Sequence, residues 1–211
     1  MVGTKPVRSV NANETSVLPF PCAREDVPRA TEFRSTWLAS SLEDLRLQGH
    51  FERYLTLLES HREEILTSVA ATWIPLAVAR SHYRACDALR LSAEQIETMA
   101  RGGGSVRKAW YANTIAAAQR PDTTIWTVLP QLQKLWLRSA NGGAVAVHQL
   151  DSNSAHVHYV GCELFSNGYF REAFRAVLLL LMRHVEPHAA LATLPGGKAD
   201  EVEFRLSWRA R

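Results

Sequence analysis

The sequence predicts an α+β fold, with an N-terminal helical layer followed by an antiparallel sheet built from a β-β-α-β-β unit. Three observations carry this. The stretch Glu201 to Trp208, EVEFRLSW, alternates polar and apolar residues strictly. It sets Val202, Phe204, Leu206 and Trp208 on one side, the pattern of a strand with one face covered by helices. After Asn141-Gly142-Gly143 the apolar period changes from helical spacing to alternation, and it returns to helical spacing once more between two hairpin patterns.

At 211 residues the chain suits one domain of ordinary size with a tail. With 46% hydrophobic and 21% charged residues it reads as a soluble globular protein. Its longest apolar run, Ala176 to Met182, is too short to span a bilayer, and its first residues lack the apolar core of a signal peptide, so a cytoplasmic location is expected. The formal charge of +3 is scattered along the chain, with no basic run of the kind that tracks nucleic acid. Cys22, Cys86 and Cys162 are widely spaced and odd in number, which fits reduced thiols better than disulfides or a paired metal site.

Residues 1–31 carry Pro6, Pro19, Pro21 and Pro28 among polar neighbours, and are expected to form an extended or disordered arm, dispensable for folding unless LPFP docks on the body. The domain proper is expected over 32–211, helical to 140. Ser40 and Glu43 have capping-box spacing ahead of Leu42, Leu45 and Leu47, and Gly49 marks a turn. Phe51, Tyr54, Leu55, Leu58 and Ile65 recur at helical spacing. From Thr67 to Leu89 one long helix is expected, with Ile74, Val78, His82, Cys86 and Leu89 on its core face. Pro75 requires either a kink in it or a start near Trp73. A second capping box, Ser92 to Gln95, opens a helix that stops at Gly102-Gly103-Gly104, and another is expected from about Val106 to Ala118. PDTTIWTVLPQLQKLWLRSA supplies two helical pieces divided at Pro130, with Leu132, Leu135 and Trp136 buried.

Over 141–211 the unit is read as AVAVHQL and AHVHYVG joined by the turn DSNS, then the helix GYFREAFRAVLLLLMRHV, then HAALATL and VEFRLSW joined around Pro195-Gly196-Gly197. Phe170, Phe174, Val177, Leu178, Leu181 and Val185 form that helix's apolar face.

Few residues invite chemistry. His82 and Cys86, four apart on one helix face, offer imidazole and thiolate to zinc or haem iron, but no further ligands follow at a recognisable spacing, which favours a core Cys beside a hydrogen-bonded His. His156 and His158 share a strand face near His148, which is free to face the other way; solvated histidines are the plain reading. RGGGSVRK follows a helix and lacks the spacing of a phosphate loop. Trp73, Trp110, Tyr111, Trp126, Trp136 and Tyr169 suit either a core or the lining of a pocket for a planar or acyl ligand. No catalytic dyad and no metal set is expected, and the chain reads as a binding domain rather than an enzyme.

The order of helices, hairpin, helix and hairpin resembles the ligand-binding fold shared by haem-nitric-oxide-binding domains, 4-vinyl-reductase-type domains and Bet3-like subunits of transport particles. NGYFREAFRAVLLLL, the GGK turn, FRLSW and LSAEQIETMARGGG resemble more closely an uncharacterised bacterial family, rich in myxobacterial members, over about Trp73 to Trp208. The resemblance implies a sensor or carrier with an apolar pocket between helices and sheet, walled by Ile74, Val78, His82, Cys86, Trp110 and Tyr111. It implies a small apolar or aromatic ligand, and a homodimer or signalling partner. Haem-binding members carry a helix histidine and a Tyr-x-Ser-x-Arg motif; the motif is absent, so no cofactor is expected, with haem or metal at His82 a third reading. The second reading is a structural or interaction module whose pocket is filled by its own side chains.

Overall fold

The computed structural model describes residues 15–102 and 123–209. Its order is β1 (Thr15–Leu18), β2 (Glu32–Arg34), α1 (Ser35–Leu47), α2 (Phe51–Leu57), α3 (Arg62–Leu66), β3 (Trp73–Pro75), α4 (Leu76–Ala88) and α5 (Ala93–Gly102). Then come α6 (Ile125–Val128), α7 (Leu132–Trp136), β4 (Ala144–Asp151), β5 (Ser154–Val160), α8 (Gly168–Val185), β6 (Ala190–Thr193) and β7 (Val202–Ser207). Helices α1 to α7 precede the β-β-α-β-β unit, to whose sheet β1 adds an unexpected edge strand from upstream, so the fold is α+β as the sequence predicts. The expected helix over Val106 to Ala118 lies outside the described residues.

The sheet has the order β1-β4-β5-β7-β6. Register follows from the alternation: Val157 pairs with Val147 and Phe204, and Tyr159 with Val145 and Val202, so one face collects the apolar side chains. On β7, Val202, Phe204 and Leu206 are buried while Arg205 is exposed. Each such fully buried side chain contributes about 1.5–3 kcal/mol of transfer free energy. Against this face packs α8, through Phe174, whose ring lies 4.9 Å from Tyr159 and 6.2 Å from Phe204. Its other sides meet α4 and α5.

Local side-chain chemistry sets the starts of α5 and α6, the latter through a Thr124–Thr127 capping box. The Ser92–Gln95 box forms, with Ser92 N donating to Gln95 Oε1 at 2.9 Å and Gln95 N to Ser92 Oγ at 3.2 Å. Pro130 sits in a 3-10 turn between α6 and α7, where its missing N–H costs nothing. Two expectations are corrected. Ser40 does not cap α1; it lies buried inside a helix that begins at Ser35. The long helix over 67–89 is likewise shorter, because Trp73–Pro75 is drawn into a two-stranded ladder with β2 and Pro75, extended at ψ 139°, precedes the first turn of α4.

From Thr15 the N-terminal segment is tied to the body, with one 3-10 turn at Arg24–Asp26. β1 pairs with β4, and residues 19–31 then cross the outer face of the sheet as a strap. Ala30 N donates to Gly161 O at 2.9 Å and Gly143 N to Pro28 O at 2.6 Å. Gly142 and Gly143 allow this crossing: a Cβ on Gly142 would lie 2.6 Å from Arg29 O, and one on Gly143 2.7 Å from Val160 O at a φ of +77°. Beneath the strap, Ala144, Ala146, His158 and Val160 are buried on the face turned away from the helices.

Candidate functional site

The expected site residues divide. Val78, His82 and Cys86 are buried along α4, Ile74 is half-buried in β3, and Trp110 and Tyr111 lie outside the described residues. His82 is fully enclosed. Its Nδ1 is hydrogen-bonded to Tyr54 Oη at 2.8 Å, its Nε2 faces Cys86 Sγ at 3.6 Å, and the rings of Tyr54 and Tyr83 stand 5.3 and 4.8 Å away. Ser41 Oγ, on α1, lies 3.1 Å from Tyr169 Oη. Burial pushes the His82 imidazole down to about 3 and the Cys86 thiol well up, so both are neutral near pH 7. No thiolate–imidazolium pair forms.

Among the described residues an apolar pocket lies where α1, α7 and α8 meet β5. It encloses about 50 Å³ and is lined by Trp37, Leu132, Leu135, Trp136, Ser139, Tyr159, Phe174, Val177, Leu178 and Leu181. Its polar ring atoms are already satisfied: Trp37 Nε1 donates to Ser139 Oγ at 2.9 Å and Trp136 Nε1 to Gly142 O at 2.8 Å. The surface left for a ligand is therefore mainly hydrocarbon and π-face, with the hydroxyls of Ser139 and Tyr159 at its wall. Leu132 and Trp136 were legible as buried positions and Leu135 is half-buried, but Trp37, far upstream of Ser139, carries no sequence signal of the meeting.

Around this pocket the space between helices and sheet is filled by aromatic rings. Trp136 stacks on Phe165 at 5.6 Å, Phe33 meets Phe170 at 5.6 Å, and Phe165 lies 5.5 Å from Phe174. The described residues do not fit a haem. Both nitrogens of His82 are engaged inside the helical layer, and 50 Å³ falls far short of the roughly 300–1,000 Å³ of ordinary cofactor pockets.

The three sheet histidines share a face. His148 pairs directly with His156 across β4 and β5, which corrects the expectation that it is free to face the other way. Their rings are 6.3 Å apart, and that of His158 lies 6.0 Å from His156. Among the described residues no group of three or more His, Cys, Asp or Glu side chains is arranged to hold a metal ion. No helix among them is long and apolar enough to cross a membrane.

No protein-family model matches the chain, and no curated protein does. Solved structures do. The unliganded Fe(II) H-NOX protein from K. algicida matches with a TM-score of 0.58 and 12% identity, over 84% of this chain and 97% of that one. A point mutant of the T. tengcongensis H-NOX protein gives 0.55 at 10% identity, over 84% and 98%. An oxygen-binding H-NOX domain related to soluble guanylate cyclases, in its oxygen complex, gives 0.53 at 12% identity, over 83% and 93%. At this identity the likeness is one of fold.

Proposed function

We propose that this chain is a non-enzymatic small-molecule-binding domain, a sensor or carrier, that takes a small apolar ligand between its helices and its sheet without using haem. The observation that carries the reading is the pocket between Trp37, Trp136, Tyr159 and Leu178, whose indole N–H groups are already bonded to protein, so that it selects for apolar contact and against hydrogen-bonding solutes. Its size restricts the ligand. A cavity of about 150 Å³ holds benzene; one of 50 Å³ takes a molecule of a few heavy atoms or the end of a longer chain. The H-NOX fold of the neighbours supports a sensor, and the closer resemblance to a bacterial family through NGYFREAFRAVLLLL and FRLSW belongs to the same proposal. The α4 stripe of Val78, His82 and Cys86 would then support the helical layer behind the pocket.

The aromatic filling between the layers favours one second reading, an interaction module that docks a copy of itself or a signalling partner. Native mass spectrometry of the chain purified from cells, together with xenon binding followed by NMR, separates the two. Xenon-induced shifts at Leu178 and Trp136 that vanish in Leu178→Trp support the ligand-binding reading. No shift and no retained organic mass would sink it in favour of the interaction module.

A further inference from the structure

The strap over the outer sheet face is fastened at a buried histidine. His158 is 8% exposed, although it stands on the face opposite the helical core. Phe20 covers it edge-on, with ring centroids 5.6 Å apart. The two described carboxylates near it, Glu201 and Glu203, are already engaged. Glu201 takes the guanidinium of Arg24, which belongs to the strap, and also lies 3.9 Å from Lys198 Nζ; Glu203 Oε2 is 3.0 Å from His156 Nε2. His158 Nε2 is 3.5 Å from Glu201 Oε2 and 3.9 Å from Glu203 Oε1, and makes no hydrogen bond. On its β4 side it faces Ala146, which has no charge to offer.

We propose that residues 19–31 form a proton-released strap, held on the sheet while His158 is neutral and let go when that imidazole takes up a proton. A second charge beneath Phe20 is poorly solvated, and lifting the strap is what brings water to it. An imidazolium also competes for Glu201, the carboxylate that anchors Arg24. Both effects act against the docked strap. The charges facing the ring agree: burial lowers its proton affinity most, Arg24 and His156 lower it further, and Glu203 and Glu201 raise it without restoring it.

The sign follows from linkage. The docked form binds the proton less well than the lifted form, in which the ring returns toward its ordinary value near 6.5. The strap is therefore fully held above that value and loosens as pH falls through it, by about tenfold in its equilibrium for each pKa unit separating the two forms. Lifting uncovers Ala144, Ala146 and Val160 on the outer face.

The strap carries its own reporter. Cys22 is exposed, whereas Cys86 and Cys162 are buried, so a maleimide fluorophore on the full chain marks the strap alone. Its anisotropy should fall as pH drops from about 7 to 5 while far-UV circular dichroism holds constant, the window in which an ordinary histidine titrates. In His158→Gln the anisotropy should stay high throughout. In Phe20→Ala it should start lower, and the remaining change should move toward pH 6.5. The proposal is overturned if the wild-type signal is flat across this window, or if the same transition persists in His158→Gln, which would assign it to His148 or His156. Should His158→Gln fail to fold, amide exchange at Ala30 and Gly143 in Phe20→Ala decides. Loss of protection already at pH 7 supports the strap, and unchanged protection refutes it.

Discussion

The hydroxyl of Tyr54 and Nδ1 of His82 meet at 2.8 Å inside the helical layer, and this contact fixes what His82 can do. It holds one nitrogen while Cys86 faces the other, so the imidazole joins α2 to α4 as a structural group. Tyr54→Phe would leave Nδ1 buried and unpaired, at a cost of about 1–3 kcal/mol, and should not create haem binding. Urea denaturation and haem titration of the variant check both outcomes. A gain of a haem absorption band would contradict the structural role.

The same residue predicts an acid-side loss of stability. His82 is held near 3 in the folded chain and rises to about 6.5 on unfolding. The unfolded state thus binds one more proton between these values. Stability is fully present above pH 6.5 and declines as pH falls, by up to about 2 kcal/mol per proton by pH 5. Measured against wild type, His82→Gln should flatten this decline while costing stability at pH 7. Parallel pH profiles would remove His82 as the source.

Val78 is 2% exposed on the α4 face that the resemblance assigns to a ligand. Val78→Phe should destabilise by about 1–3 kcal/mol, as overpacking does, and leave xenon binding at Leu178 in place. A neutral or stabilising Val78→Phe would show that space for a ligand lies along α4 after all.

On β7, Leu206 is 1% exposed and Arg205 faces solvent. Leu206→Ala should cost about 2–4 kcal/mol, whereas Arg205→Ala should change stability by about 0.5 kcal/mol or less. Equal effects in thermal denaturation would contradict a sheet with a single apolar core face on this strand.

Removing residues 1–31 should lower stability by more than about 1 kcal/mol, since it strips β1 from the sheet edge and uncovers Ala144, Ala146 and Val160. An unchanged melting transition would restore the segment to the status of a dispensable arm.

What the sequence determined by itself is the part governed by local rules. Alternation in Val202 to Ser207 sets β7, the periodic apolar face from Phe170 to Val185 sets α8, and Ser92 with Gln95 sets the start of α5, because period and capping act over a few residues. Proline was legible in kind but not in place: Pro75 forbids a continuous helix, yet only pairing with Glu32–Arg34 turns Trp73–Pro75 into a strand. The tertiary structure alone decided the rest. Nothing near Tyr54 in sequence announces His82, nothing near Trp37 announces Ser139, and the proline-rich segment looks too polar to fold until His158 on β5, Gly161 just after it and Glu201 just before β7 become its partners. Such contacts join residues far apart along the chain, and their free energy depends on surfaces that exist only once the sheet and helices have assembled.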